Sequence, residues 1–290
     1  MAVLLRWRTL GLELPFYSLV NEPQLHKPML NAGWLTEVVK RLGRRMRAEG
    51  LATMLVIPDD VEAQSAYRRA LPVMEDADAR QYVGALAYHL YGRSPGAQIA
   101  MRDLALKYGI PVWMSEYSEK SYATYSGALG WARTVHDLIT VYGVSAVDYL
   151  AGFFGSYGDQ GAHTLIPIEF QGSTYRTHRL SAAYYLTGQY SRFVRPGYVR
   201  VDVRASPPDI QISAFKGPAD IVAVLINSTS LPRTIEISVS GVPAVGRVQT
   251  TRTSPTEQWQ EFPEAMVPGS LFGAMLPPNS VTTLVLTPSE

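Results

Sequence analysis

Hydrophobic positions in the first two-thirds of the chain follow two alternating periods. Short apolar runs of strand length give way to longer stretches in which apolar residues return every three or four positions. The pattern predicts five strands, at Phe16–Val20, Thr53–Ile57, Ala85–Leu90, Val112–Ser115 and Val144–Phe154. Between them, Trp34, Leu35, Val38, Val39, Leu42 and Met46 make one helical stripe, and Trp131, Val135, Leu138, Ile139 and Tyr142 another. Lys40, Arg41, Arg44, Arg45 and Arg47 lie mostly off the first stripe, as a solvated outer face requires. Helical patterns end at Gly50, Gly109 and Gly143, each directly before an apolar run. Glycine suits the left-handed residue that closes a helix, so these mark helix-to-strand joins. Strands alternating with helices predict parallel pairing through crossovers.

From about Tyr198 the pattern changes. Strand-like runs fall at Val199–Val203, Ile210–Phe215, Ile221–Ile226, Thr234–Val239, Val245–Thr251 and Val281–Leu286. Pro, Gly, Ser and Asn separate them, with no helical period between, which predicts an all-β sandwich. A last helix, Arg179–Phe193, leads to the join through Arg195-Pro196-Gly197. A closed (β/α) barrel takes eight strands and about 250 residues. Five strands in fewer residues mean either an open sheet or a barrel whose first part is missing.

Two strand ends carry the candidate chemistry. The run from Phe16 is interrupted only by Ser18 and stops at Asn21-Glu22-Pro23; the run from Pro111 ends at Glu116. Pro23 halts the first strand, because it has no N–H to give a ladder. Carboxylates at the C-terminal ends of parallel strands sit where catalytic groups are found in such folds. Either glutamate alone reads as a solvated loop residue. Together they are the equipment of a retaining glycosidase, whose two carboxyl groups stand about 5–5.5 Å apart. Between them in the chain, Ala85, Ala87, His89 and Tyr91 share one face of a strand by alternation. Two small residues followed by two polar aromatics suit a crowded barrel axis and then its mouth. A Tyr91 hydroxyl there is placed to hydrogen-bond the nucleophile. His89 is either a ligand of a sugar hydroxyl or a satisfied core histidine.

Composition narrows the classes. With 26 basic and 25 acidic side chains, there is no electrostatic case for nucleic acid or an anionic membrane. No apolar run reaches 18 residues, so no membrane span is expected. Cysteine is absent, which excludes disulfides and cysteine catalysis. The N-terminal stretch is interrupted by Arg6 and Arg8 and is no signal peptide; the protein would be secreted only if its true start lies upstream. His26, His136, His163 and His178 lack zinc-site spacing, so neither metal nor cofactor is expected. The triplet Asn227-Ser228-Thr229 fits a glycosylation sequon but carries little weight.

Asn21-Glu22-Pro23 after a strand, His89-Leu90-Tyr91, Ser115-Glu116-Tyr117 and the run YYLTGQYSRFVRPGYVRVD from Tyr184 to Asp202 resemble glycoside hydrolase family 30. So do RTSPTEQW and LPPNSVTTLV in the β-region. The resemblance implies α/β plus all-β architecture: a partial (β/α)-barrel catalytic domain over residues 1–195, with about five of eight strands, and a β-sandwich over residues 196–290. It implies Glu22 as acid/base, Glu116 as nucleophile, Asn21 as partner of the sugar 2-hydroxyl and Tyr91 beside the nucleophile. Asp59 and Asp60 resemble a paired aspartate in glucosylceramidase-like members; helix N-capping before Val61 is the competing reading of both. Tyr117, Phe154 and Tyr157, at strand ends, offer apolar faces to a sugar ring or else pack in the core. The strand Val144–Phe154 lacks the tryptophan often found there, and the family's first three βα units have no counterpart.

The function these residues imply is hydrolysis of a β-linked glycan by double displacement, with a carbohydrate as the only small partner. A weak or inactive remnant, serving at most as a glycan-binding module, is the alternative. Exposed edges of an incomplete sheet would favour self-association. A doubly wound ligand-binding domain is disfavoured, since no Gly-rich phosphate loop follows a strand.

Overall fold

The computed structural model describes residues 1–26, 31–156, 163–204, 208–241, 245–267 and 271–289. The chain divides into two compact units: Met1–Tyr117 with Leu138–Leu150, and Ser118–Asp137 with Ala151–Glu290.

The first unit is built on one sheet of five strands in chain order: β1 (Phe16–Ser18), β2 (Met54–Glu62), β3 (Val83–Gly92), β4 (Val112–Tyr117) and β5 (Val144–Tyr149). All four pairings are parallel. Helix α1 (Ala2–Thr9) precedes the sheet, and α2 (Ala32–Ala48), α3 (Ala63–Glu75), the short α4 (Ala77–Arg80) and α5 (Pro95–Tyr108) make the connections up to β4. The near-continuous apolar runs have their reason here. Leu55, Ile57, Leu86 and Met114 on the strands are fully buried, as are Val39, Ala66, Val73 and Met101 on helices α2, α3 and α5. The Asn31 side chain caps α2 by accepting from the Trp34 N–H at 2.9 Å. Gly50, Gly109 and Gly143 all take left-handed φ values, of 71°, 66° and 64°, at the joins where the sequence puts them.

This sheet is curled. The rings of Phe16 on β1 and Trp113 on β4 meet edge to face, with centroids 4.8 Å apart. Three strand spacings in a flat sheet would hold them about 14 Å apart. The concave face closes over small side chains: Val56, Ala85 and Ala87 form its buried centre, with Trp113 packed against them. Register shifts accumulate towards the strand ends, between Pro58 and Asp60, Tyr88 and His89, and Met114 and Tyr117. Such bulges bend strands and re-aim side chains.

The second unit holds the sandwich. A seven-stranded sheet runs in the order β14 (Glu257–Glu261), β13 (Val245–Ser254), β17 (Ser280–Pro288), β11 (Ile221–Asn227), β10 (Ile210–Lys216) and β9 (Val199–Val201), with β15 (Ala265–Met266) also on β13. A two-stranded sheet pairs β12 (Arg233–Ser238) with β16 (Leu271–Leu276). One core joins them: Ile235 and Leu276 lie in the same buried cluster as Ile210, Leu225, Val248 and Leu284. The architecture is therefore a partial (β/α) barrel plus a β-sandwich, as read from the sequence.

Helix α7 (Ala182–Ser191) is fastened to the sandwich by the residues of the GQYSRFVRPG run. A Cβ on Gly188 would fall 2.0 Å from the Trp259 ring, so only glycine admits that indole. The fully buried Gln189 amide donates to Thr253 Oγ1 at 2.8 Å and accepts from Thr283 Oγ1 at 2.6 Å. The Tyr190 hydroxyl bonds Ser213 Oγ at 3.1 Å. Thus the centre of the run from Tyr184 to Asp202 is a structural staple.

Three expectations are corrected. Val144–Phe154 is not one strand: β5 ends at Tyr149, and Phe153 opens β6 (Phe153–Ser156) in another sheet. The residues of the break are already paired elsewhere, since the carbonyls of Ala151 and Gly152 accept from the Leu165 and Ile166 N–H groups. Second, β6 pairs with β7 (Ile166–Gln171), and β7 with β8 (Thr174–His178), a three-stranded sheet the sequence pattern did not announce. Its strands are largely exposed, so no burial imposes alternation on them. Third, the helix expected over Arg179–Phe193 starts only at Ala182, where Ser181 caps it. The remaining helix, α6 (Tyr125–Thr140), carries the second apolar stripe.

Candidate active site

The chemistry gathers where the curled sheet of the first unit ends. Glu22 follows β1 on a turn held at three points. Its own N–H donates to the Asp59 carbonyl at 2.9 Å, its carbonyl accepts from the Leu25 N–H at 3.0 Å, and the Gln24 N–H donates to Asp60 Oδ1 at 3.0 Å. The turn Pro23–His26 is a 3₁₀ helix, and Pro23 opens it at the position where a missing N–H costs nothing. Glu22 itself has a φ of 48°, a left-handed conformation uncommon for a side chain of its size.

Asp59 and Asp60 do different work. Asp60 is fully buried and spent on internal contacts: Oδ2 accepts from Arg69 Nη1 at 2.7 Å, and Oδ1 from the Val61 and Gln24 N–H groups. Asp59, with a φ of 61°, faces the concave side of the sheet. It accepts from Ser18 Oγ on β1 and Ser115 Oγ on β4, both at 2.5 Å.

His89, 1% exposed, lies at the centre. Its Nδ1 is 3.0 Å from Glu22 Oε1 and 3.8 Å from Glu116 Oε1, and its Nε2 is 3.5 Å from Asp59 Oδ1. The Tyr91 hydroxyl donates to Glu116 Oε1 at 2.9 Å. Donor atoms of Glu22, His89 and Glu116 all fall within 4.8 Å of one another. The two carboxyl groups therefore face each other at close range. That cluster is also the one group of three His, Asp or Glu donors among the described residues close enough to hold a cation.

The electrostatics follow from burial and neighbours. Burial pushes the Asp59 carboxyl upward, but hydrogen bonds from His89, Ser115 and Ser18 outweigh it and hold the group below its ordinary value. Burial lowers His89, yet the Asp59 bond, the Glu116 charge and the Glu22 bond together raise it above an ordinary histidine. Burial first, and then the Glu116 carboxylate, push the Tyr91 hydroxyl well up, so it stays a proton donor. Asp148, at an exposed position of β5, is raised by the partial desolvation of its carboxyl and by the charge of Asp59.

The other candidates are distributed as follows. Asn21 is exposed beside Glu22. Tyr117 is buried, with its ring centroid 5.4 Å from that of Tyr91, and its hydroxyl accepts from Arg93 Nη2 at 3.3 Å. Phe154 is on β6, in the second unit, with its ring exposed. Tyr157 lies outside the described residues. Ser18 and Ser115 were not singled out by sequence reasoning as site residues. Their signal was present, since each is the one small polar residue in a short run of apolar and aromatic side chains, at FYSLV and VWMS.

A curled parallel sheet with two facing carboxyl groups at its strand ends defines the class of fold: a partial (β/α) barrel, carried in one chain with a β-sandwich. Known proteins narrow it. No protein-family model matches the chain. It is 26% identical over 289 residues to glucuronoxylanase XynC of Bacillus subtilis, a match that takes in 95% of this chain and 62% of the relative. The chain thus spans less than two-thirds of that relative's length. Its fold matches a GH30 endoxylanase from Clostridium papyrosolvens C71, with a TM-score of 0.80 and 21% identity over 99% of this chain and 69% of that one. It matches the catalytic domain of GH30 xylanase C from Talaromyces cellulolyticus equally well, with a TM-score of 0.80 and 24% identity over 99% and 65%. The likeness to glycoside hydrolase family 30 that the motifs carry therefore holds over nearly the whole chain, in sequence and in fold.

Proposed function

We propose that this protein is a retaining β-glycoside hydrolase, with Glu116 as nucleophile and Glu22 as acid/base. The observation that carries the reading is the placement of the two carboxyl groups within 4.8 Å, atom to atom. An inverting pair needs about 6.5–9.5 Å, to admit a water between sugar and base.

The first step forms a bond from Glu116 to the anomeric carbon and breaks the glycosidic C–O bond. The leaving oxygen takes its proton from Glu22. Tyr91 holds Glu116 Oε1, which leaves the second oxygen to attack along a fixed line. In the second step the Glu22 carboxylate removes a proton from water. The water oxygen attacks the anomeric carbon, and the Glu116 ester bond breaks. Two inversions return the original β configuration. Asn21, exposed beside Glu22, is suited to bond the sugar 2-hydroxyl.

The substrate class we infer is a β-linked polysaccharide backbone, with xylan first to test, because the relatives are named as xylanases. The test is hydrolysis of xylan and of aryl β-xyloside, β-glucoside and β-galactoside, followed by proton NMR of the first product. The β anomer is expected to appear before mutarotation. Initial release of the α anomer would overturn the mechanism.

A further inference from the structure

Asp59 touches neither of the two facing carboxyl groups, yet it is buried and held by three partners. A buried carboxylate is costly unless its oxygens are satisfied. Here two serines, one from the strand on each side of the β2–β3 pair, aim their hydroxyls at it from 2.5 Å. The remaining direction points to His89 Nε2. The opposite ring nitrogen, Nδ1, faces Glu22 Oε1 at 3.0 Å. The chain of contacts is therefore Ser18 and Ser115 to Asp59, Asp59 to His89, and His89 to Glu22.

The state of the imidazole decides where the proton of Glu22 can sit. A neutral ring with its hydrogen on Nε2 turns a bare Nδ1 towards Glu22 and accepts the carboxyl proton, drawing it away from substrate. A ring carrying hydrogen on both nitrogens donates to Oε1 instead, which leaves Oε2 to carry the transferable proton. Resting on the reading of Glu22 as acid/base, we propose that Asp59 is a positioning residue acting through His89: it keeps both ring nitrogens protonated, so that Nδ1–H is given to Glu22 Oε1 and the catalytic proton is confined to Oε2.

The groups facing His89 agree in sign. Asp59 from β2, Glu22 after β1 and Glu116 from β4 all present carboxyl oxygens to it, and Tyr91 presents its ring edge at a centroid distance of 6.0 Å. The upward displacement of His89 and the downward displacement of Asp59 fit an imidazolium–carboxylate pair.

The experiment has two arms. In the first, the full chain is labelled with ¹⁵N-histidine, and the His89 ring nitrogens are followed through a pH titration, with His89→Gln for assignment. The wild type should keep both nitrogens protonated to a pH above that of a free histidine. Asp59→Asn should lower the midpoint by about one pH unit, the equivalent of a tenfold change. Ser18→Ala and Ser115→Ala, which loosen the grip without removing the charge, should lower it by less and serve if Asp59→Asn does not fold. An unchanged midpoint in the folded variants would overturn the proposal, and this arm needs no turnover. In the second, kcat/KM is measured for aryl β-glycosides of poor and activated leaving groups. Asp59→Asn should lose roughly 10-fold more on the poor leaving group, chiefly in kcat and with the alkaline limb shifted down. Equal losses on both would make Asp59 merely structural. If Glu22→Ala itself shows no leaving-group dependence, the acid/base assignment fails, whatever Asp59 does.

Discussion

The two units both bury polar side chains, and they use them in opposite ways. In the sandwich, Asn227 is fully buried, and its amide nitrogen donates to the carbonyls of Leu231, Leu276 and Pro277 at 2.8–3.0 Å. Gln189, Thr253 and Thr283 likewise close on one another. Such groups are matched donor to acceptor and carry no net charge. In the first unit, three carboxylates and a histidine converge instead, and among the described residues the second oxygens of Glu22 and Glu116 take no protein hydrogen bond. A satisfied network fixes a shape; a charged one with oxygens to spare is poised to act on a ligand. The same contrast disposes of the glycosylation sequon, whose asparagine has no amide hydrogen to spare.

The sharpest test of this contrast removes Glu116, the proposed nucleophile. Glu116→Ala should lower turnover by several orders of magnitude on every substrate, activated aryl glycosides included, because no glycosyl-enzyme can form. Urea unfolding should meanwhile show little loss of stability. A variant as active as the wild type would remove the first unit from the chemistry.

Glu22→Ala should cost roughly 10²–10⁴-fold on poor leaving groups and far less in the first step on activated ones. Azide, which needs no general base, should then speed release of the intermediate and yield a β-glycosyl azide detectable by mass spectrometry. Failure of azide to rescue, with uniform losses across leaving groups, would break the assignment.

On the other side of the comparison, Gln189→Ala should act on stability alone. It takes the Gln189 amide donor from the buried Thr253 Oγ1, while Thr283 Oγ1 keeps the backbone carbonyl of residue 189, so the cost should be about 1–3 kcal/mol. The denaturation midpoint should fall while kcat per folded molecule holds. A loss of kcat with unchanged stability would mean that the staple serves the site.

The smallest effect is the dependence of stability on pH. His89 is raised in the folded state, so its contribution is complete at low pH, below 6.5, and is lost as pH rises through the folded value. Asp59 is lowered, so its contribution is present above 3.8 and is lost as pH falls through its depressed value. Stability should therefore fall on both sides of a plateau. His89→Gln should flatten the alkaline limb, and Asp59→Asn the acid one, as measured by urea unfolding from pH 3 to about 9.

Periodicity alone determined much of this protein. Apolar runs at β2, β3 and β4 are legible because both faces of a parallel sheet are buried, and Gly50, Gly109 and Gly143 because a helix end imposes a backbone that few residues accept. That Glu22 and Glu116 lie at or just past the ends of apolar strands was legible too, from Pro23 after the first and the apolar run before the second. What the sequence could not decide depends on groups meeting from distant parts of the chain. β5 and β6 read as one strand, because hydrophobic pattern does not say which neighbour will take the Ala151 and Gly152 carbonyls. Asp59 and Asp60, adjacent in sequence, face opposite duties only because a residue with a φ of 61° and a register shift turn one towards His89 and the other towards Arg69. Ser18 and Ser115, 97 residues apart in sequence, become partners of a single carboxylate only when the sheet curls. Local propensity fixes the elements; curvature, which arises from packing across the whole sheet, fixes which side chains share a charge.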